Sequence, residues 1–193
     1  VQMGIIGFWG EHHNPHPDLE MQELLGAAFE KAFQKKQVLV RHANEFEDFE
    51  FGVYWDSWAH QQQTFQLMHG AGIDQLNAAK GRWMTHPIEG EVAYNWGNYK
   101  IQPGDDPNDT LSDPEHRVFL IETIRNLHCS ALGWIADYDQ AKPVVQVGAD
   151  EVQKAFGYRF VLEEFSYSPV VRKYGEFAGG FSIRNSGSAP FFA

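Results

Sequence analysis

The sequence predicts an α/β fold, with alternating strands and helices over residues 1–157 and a β-rich segment over 158–193 that opens a second domain. Three observations lead to it. Short apolar runs, typical of strands buried on both faces, alternate with helical stretches. Such alternation implies βα units and therefore a parallel sheet. After Gly157 the helices stop, and Tyr158–Phe165 and Phe177–Arg184 read as antiparallel strands with no helix between them.

The elements follow in order. Val1–Trp9 reads as a buried first strand, and Glu11–Pro17 as a polar loop. Pro17 and Asp18 suit a helix start, because proline fits the first turn and an acid there complements the dipole. Met21, Leu24, Leu25, Ala28, Phe29, Ala32 and Phe33 then recur at helical spacing up to Lys35 and Lys36. Residues 37–41 and 51–55 are further strands, the latter ending at Asp56. A helical stretch is expected around Thr64–Met68, stopping at Gly70. Arg82–Ile88 reads as the fourth strand, with Trp83 on it and Glu89, Gly90 and Glu91 at its carboxyl end. Residues 98–112 read as a long acidic loop. Asp113-Pro114-Glu115 combines cap, proline and acid at a helix start, with Val118, Leu120, Ile121, Ile124 and Leu127 on the buried face. Leu127–Trp134 is the fifth strand, and Asp150–Phe156 a short helix stopped by Gly157.

Composition excludes several classes. The net charge is -11, whereas a nucleic-acid binder needs a basic stripe that releases counterions. A single cysteine makes no intrachain disulfide. No run reaches the roughly 18 apolar residues of a membrane span. The chain opens and closes on apolar, strand-like residues rather than exposed polar ones, so a fragment of a larger protein is expected. A complete (β/α)8 barrel takes about 250 residues, which makes this chain at most the carboxyl-terminal part of one.

Active groups in parallel α/β folds gather at the carboxyl ends of the strands. Those ends carry Glu11; Arg41-His42-Ala43-Asn44-Glu45; Asp56-Ser57-Trp58; Glu89 and Glu91; and the His128 and Trp134 of the fifth strand. Carboxylates with tryptophans are the chemistry of sugar cleavage. One carboxyl protonates the leaving oxygen and another attacks or activates water, while Trp rings make platforms for sugar faces. Six tryptophans in 193 residues give such platforms ample material.

Gly7-Phe8-Trp9-Gly10-Glu11-His12 and Pro87-Ile88-Glu89-Gly90-Glu91 resemble the two acid-bearing strand ends of retaining glycoside hydrolases with a (β/α)8 barrel. In that group the acid/base Glu follows strand four and the nucleophile Glu follows strand seven. Counting Val1–Trp9 as strand four places Glu89 and Glu91 after strand seven. The chain also looks like a family of largely uncharacterised bacterial proteins in which a glycosidase-like barrel precedes a β-sandwich. Gly52-Val53-Tyr54-Trp55-Asp56-Ser57, Gly90-Glu91, Leu127-His128, Phe156–Leu162 and Arg184–Pro190 carry that likeness. The resemblance implies strands four to eight of the barrel over residues 1–157 and the start of the sandwich over 158–193. It also implies a secreted or periplasmic setting.

The expected catalytic residues are Glu11 as acid/base and Glu91, or alternatively Glu89, as nucleophile, with only one of the latter two facing the barrel axis. The Gly90-Glu91 match favours Glu91. Glu11 is expected to be shielded by Trp9 or a neighbouring carboxylate, and Glu91 to be held by Arg41 or Tyr54. Trp9, His12, Arg41, Asp56, Trp58, Trp96, His128 and Trp134 are expected to line the substrate cleft, with at least two of Trp58, Trp96 and Trp134 partly exposed.

Glu11, His12, His13 and His16 have ligand chemistry for zinc, but prolines forbid the two-His helical pair of zinc proteases. Solvated or substrate-contacting histidines are expected there, with no metal and no cofactor. Asp105, Asp106, Asn108 and Asp109 lack the glycine of a calcium loop. Cys129 reads as a buried apolar residue. The expected partners are a carbohydrate and the remaining strands that complete the barrel, from its own polypeptide or another chain, with neither nucleic acid nor membrane. A glycan-binding barrel without catalysis and a metal-dependent hydrolase are the competing functions.

Overall fold

The structure, a computed structural model, describes residues 1–61, 63–64, 81–93, 106–134 and 136–192. The helix expected around Thr64–Met68 lies almost wholly outside them, as do residues 98–105 of the expected loop.

Four strands form one parallel sheet in chain order: β1 (Leu39–Val40), β2 (Gly52–Trp58), β3 (Ile88–Val92) and β4 (Cys129–Trp134). Gln2 extends it by a parallel bridge to Leu39 on the outer side of β1, fixed by Met3 N–H to Leu39 O and Leu39 N–H to Val1 O, each 2.8 Å. Sequential order and parallel direction are those of βα units. Helices α1 (Leu19–Ala32), α2 (Pro107–Ser112), α3 (Pro114–Asn126) and α4 (Pro143–Ala155) accompany the sheet. A separate antiparallel pair, β5 (Phe160–Tyr167) and β6 (Gly179–Asn185), ends the chain.

Local chemistry explains the helix boundaries. The Asp18 carboxylate accepts from Met21 N–H at 2.9 Å and starts α1. Asp113 accepts from Glu115 and His116 N–H, with Pro114 in the first turn of α3. Asp106 does the same for Asn108 and Asp109, so the end of the expected acidic loop is in fact the short helix α2. The helix expected at Asp150 begins earlier, at Pro143, and buries Val145, Gly148, Val152 and Ala155 along one face. With Leu120 and Ile124 of α3 and Leu111 of α2, that face joins the core built on Val40, Val53, Ile88 and Val92 of the sheet.

Three strand expectations need correction. Only the first residues of Val1–Trp9 pair; Ile5, Phe8 and Trp9 are exposed, and Phe8–Gly10 is a 3-10 turn. Gly7 and Gly10, both at positive φ, turn the chain out of the extended course expected of it. Arg82–Met84 is likewise a 3-10 turn carrying Trp83, and β3 begins only at Ile88, after Pro87. Glu89 and Glu91 therefore sit inside the strand rather than beyond it. Their half-buried side chains alternate with buried Ile88, Gly90 and Val92, so both lie on one face, because residues two apart share a side of a strand. The expectation that only one of them faces inward does not hold.

At the far end, Ser188 ties the antiparallel pair to the sheet. Its hydroxyl donates to Cys129 O at 2.7 Å and its N–H to Ala155 O at 2.9 Å. Phe160, Leu162, Phe165 and Tyr167 of β5 and Phe181 and Ile183 of β6 are exposed. No helix among the described residues is long and apolar enough to cross a membrane.

Candidate active site

The site is assembled at the carboxyl end of the sheet. Tyr54 and Asp56 alternate on β2 with buried Val53, Trp55 and Ser57. Tyr54 pairs in register with Glu89 on β3, and Trp55 with Gly90. The Tyr54 hydroxyl donates to Glu91 Oε1 at 2.5 Å. Just beyond β1, Arg41 Nη2 meets Asp56 Oδ1 at 2.8 Å, and its guanidinium lies 4.1 Å from the Trp55 ring centroid. Both ends of this ion pair are largely buried, so the pairing is held in a low-dielectric setting. The other Arg41 donors, Nε and Nη1, are buried without a hydrogen-bond partner among the described residues.

Glu11 is delivered by the loop that leaves the sheet after Met3. The loop is folded back tightly. Phe8 N–H donates to His13 O, and His12 N–H to Ile6 O, both at 3.0 Å. Gly7 and Gly10 have φ of 72° and 76°, a region that L side chains rarely enter. A Cβ on Gly7 would come within 2.1 Å of His13 O, and one on Gly10 within 2.5 Å of Gly4 O. Glycine at these two places is what turns Glu11 toward the sheet.

Glu11 arrives beside Asp56. Its carboxyl is pushed up to about 7, first by burial, then by the Asp56 charge and a hydrogen bond to Asp56; Arg41 opposes this and Glu91 adds to it. At neutral pH Glu11 thus holds its proton in a substantial fraction of molecules. Burial and then the bond to Glu91 raise the Tyr54 phenol well above its ordinary value, so Tyr54 remains a donor. Burial also raises Glu89, whose charge reaches the Val1 ammonium and the Cys129 thiol. Glu89 lies one layer deeper than Glu91, toward the amino end of the sheet.

Glu11, Arg41, Asp56 and Glu91 therefore come together, with Tyr54 joining them. Several expected cleft residues do not. Trp58 is fully buried inside β2, which runs three residues past its expected end, and its indole N–H points to Glu89 O at 3.4 Å. It is core, not a sugar platform. His12 is 0% exposed, and its Nε2 lies 2.9 Å from Met3 O, so it does not contact substrate and is not solvated. His128 precedes β4, at the amino end of the sheet, where its ring stacks on Trp83 at 3.5 Å and its Nδ1 lies 2.9 Å from Ser188 O. It fastens the second segment to the first, away from the carboxylates. Trp134 ends β4 half-buried, edge-on to Tyr138. Trp9 is 82% exposed on the loop beside Glu11, tilted against His13, so it does not shield that carboxyl; Asp56 is the neighbour that shifts it. Trp96 lies outside the described residues.

His42 and Glu45 were read from the sequence only as part of a strand-end run. The structure gathers His12, His16 and His42 around Glu45 on the flank of the site. The His42–Glu45 spacing of three, on one helical turn, is the local signal for that grouping.

Comparison of the chain with protein-family models, with curated proteins and with solved structures finds no match.

Proposed function

We propose that the chain is part of a (β/α)8 barrel that cleaves glycosidic bonds with retention, using Glu11 as acid/base and Glu91 as nucleophile. The observation that carries this reading is the pairing of two glutamates from separate elements in unlike environments. Glu11 is pushed up to about 7, and Glu91 accepts a hydrogen bond from Tyr54. Two carboxyl groups whose surroundings separate their roles are what general-acid and nucleophilic catalysis by one site require.

In this mechanism Glu11 gives its proton to the glycosidic oxygen while Glu91 attacks the anomeric carbon, forming a glycosyl ester and releasing the leaving sugar. Glu11, now ionised, takes a proton from water, and the water oxygen opens the ester. Tyr54 holds Glu91 on line. Arg41 balances Asp56. Trp9, exposed on the Glu11 loop, and Trp134, half-buried at the end of β4, offer aromatic surface to a sugar ring. The sequential parallel order, from the Gln2 bridge through β4, suits a barrel segment, and exposed Ala131 and Gly133 on β4 leave room for further strands of the same or another polypeptide.

The test is release of reducing sugar from a panel of oligosaccharides, with the first-formed anomer read by NMR. Retention, with loss of turnover in Glu11→Gln and Glu91→Gln, is expected. Inversion would replace the nucleophile by a general base. Glycan binding with no turnover would leave the site a glycan-binding surface.

A further inference from the structure

Beside the carboxylate site, the same two segments build a second cluster from neighbouring residues. Glu11 and Arg41 face the sheet's carboxyl end; His12 and His42, next to them in sequence, turn toward Glu45. His16 Nδ1 lies 2.8 Å from Glu45 Oε1, His42 Nδ1 lies 3.2 Å from the same oxygen, and His12 Nδ1 lies 3.5 Å from Oε2. The ligand atoms of His16, His42 and Glu45 all fall within 4.8 Å of one another. The cluster is mostly enclosed: side-chain exposure is 0% for His12, 17% for His42 and 12% for Glu45, with His16 at the rim at 60%.

Its chemistry turns on His12. Met3 O is a carbonyl and can only accept, so His12 Nε2, 2.9 Å away, carries the proton. In the neutral ring Nδ1 is then a bare lone pair. It faces Glu45 Oε2, itself an acceptor, and neither atom has a hydrogen-bond partner. Two buried acceptors aimed at each other are unfavourable unless a cation lies between them. A proton on His12 would settle this one contact. His16 and His42 reach the other oxygen, Oε1, through Nδ1, and a bound dication would take the place of the protons on those two nitrogens.

We infer that His16, His42 and Glu45 form a binding site for a divalent transition-metal ion of the zinc class, with His12 behind it on the second Glu45 oxygen. Two imidazoles and a carboxylate suit zinc, cobalt or nickel, and are poor ligands for calcium or magnesium, which take oxygen. Zinc bonds such ligands at about 2.0–2.2 Å, so these three side chains close inward on loading. His12, fixed by its Nε2 contact with Met3 O, lies against Glu45 Oε2 and positions that ligand from behind. Three protein ligands leave the fourth tetrahedral position to water. Its effect is mechanical: it clamps the Glu11 loop onto the turn after β1. The inference does not depend on the glycosidase reading, since the cluster and the carboxylate pair share no residue.

The test is metal binding to the whole chain after stripping with EDTA and removal of the chelator. Zinc chloride is titrated by calorimetry, and cobalt chloride by visible absorption. One equivalent of zinc bound at micromolar or tighter affinity is expected, with tetrahedral cobalt bands and a rise in thermal midpoint. His16→Ala and Glu45→Gln should weaken binding about tenfold or more, as loss of even supporting partners does at zinc sites. His16 is at the rim, so that variant should fold, as circular dichroism will check. His116→Ala, in the separate cluster with Asp109, should leave binding unchanged. Absence of saturable binding would overturn the inference, as would unchanged binding in a folded His16→Ala protein or loss of binding in His116→Ala.

Discussion

The Tyr54 hydroxyl and the Glu91 carboxylate, on adjacent parallel strands, are joined by a hydrogen bond of 2.5 Å. Among the described residues, Tyr54 is the side chain that hydrogen-bonds Glu91. Hydrogen bonds to charged groups contribute about 1.5–3 kcal/mol, equivalent to about 10- to 150-fold in rate. Tyr54→Phe keeps the ring and removes only the donor. It should lower kcat by up to about that factor and lower the unfolding free energy by no more than about 1.5–3 kcal/mol, as steady-state kinetics and a urea titration will show. An unaltered kcat would mean that Glu91 needs no such support.

The pH profile should be set by Glu11. A catalytic acid must be protonated, so activity should fall as pH rises through about 7, where Glu11 loses its proton. Asp56 raises Glu11 and Arg41 lowers it. Asp56→Asn removes a negative neighbour, makes ionisation easier, and should move the alkaline limb to lower pH. Arg41→Met removes a positive one and should move it higher. Initial rates across pH check both, and shifts in the same direction would remove Glu11 from the acid role.

Gly10→Ala should damage the loop that presents Glu11. Alanine at φ 76° is strained, and its Cβ would stand 2.5 Å from Gly4 O. Such strained positions cost about 1–3 kcal/mol, visible as a lower urea midpoint. Turnover should fall further than the lost stability explains, because Glu11 sits at the next position.

Leu120→Ala probes the layer behind the sheet. Leu120 of α3 is fully buried in the core with Ile124, Val145 and Val152. Deleting such a side chain costs about 2–5 kcal/mol, measurable by chemical denaturation. The carboxylate site, on the other side of the sheet strands, should keep its pH profile in whatever fraction stays folded.

Features with local causes were legible in the sequence. Asp113 caps the helix it was expected to cap, and Asp18, expected as an acid at a helix start, serves as the cap itself, because a side-chain oxygen reaches N–H groups only two or three residues on. Alternating strands and helices implied a parallel sheet, and residues 160–185 pair antiparallel as the loss of helices suggested. Glu11, Asp56 and Glu91 could be named as neighbours because parallel strands bring their carboxyl ends together. Other outcomes depended on groups far away in the chain. Trp58 became core because β2 runs on to meet Val92, and His128 was claimed by Trp83 and Ser188. His12 turned inward to Met3, while its neighbour Glu11 turned to Asp56. Composition names the groups that can do chemistry. Which of them meet is decided by register, burial and the two left-handed glycines of one loop, since those set side-chain direction over distances that no local pattern spans.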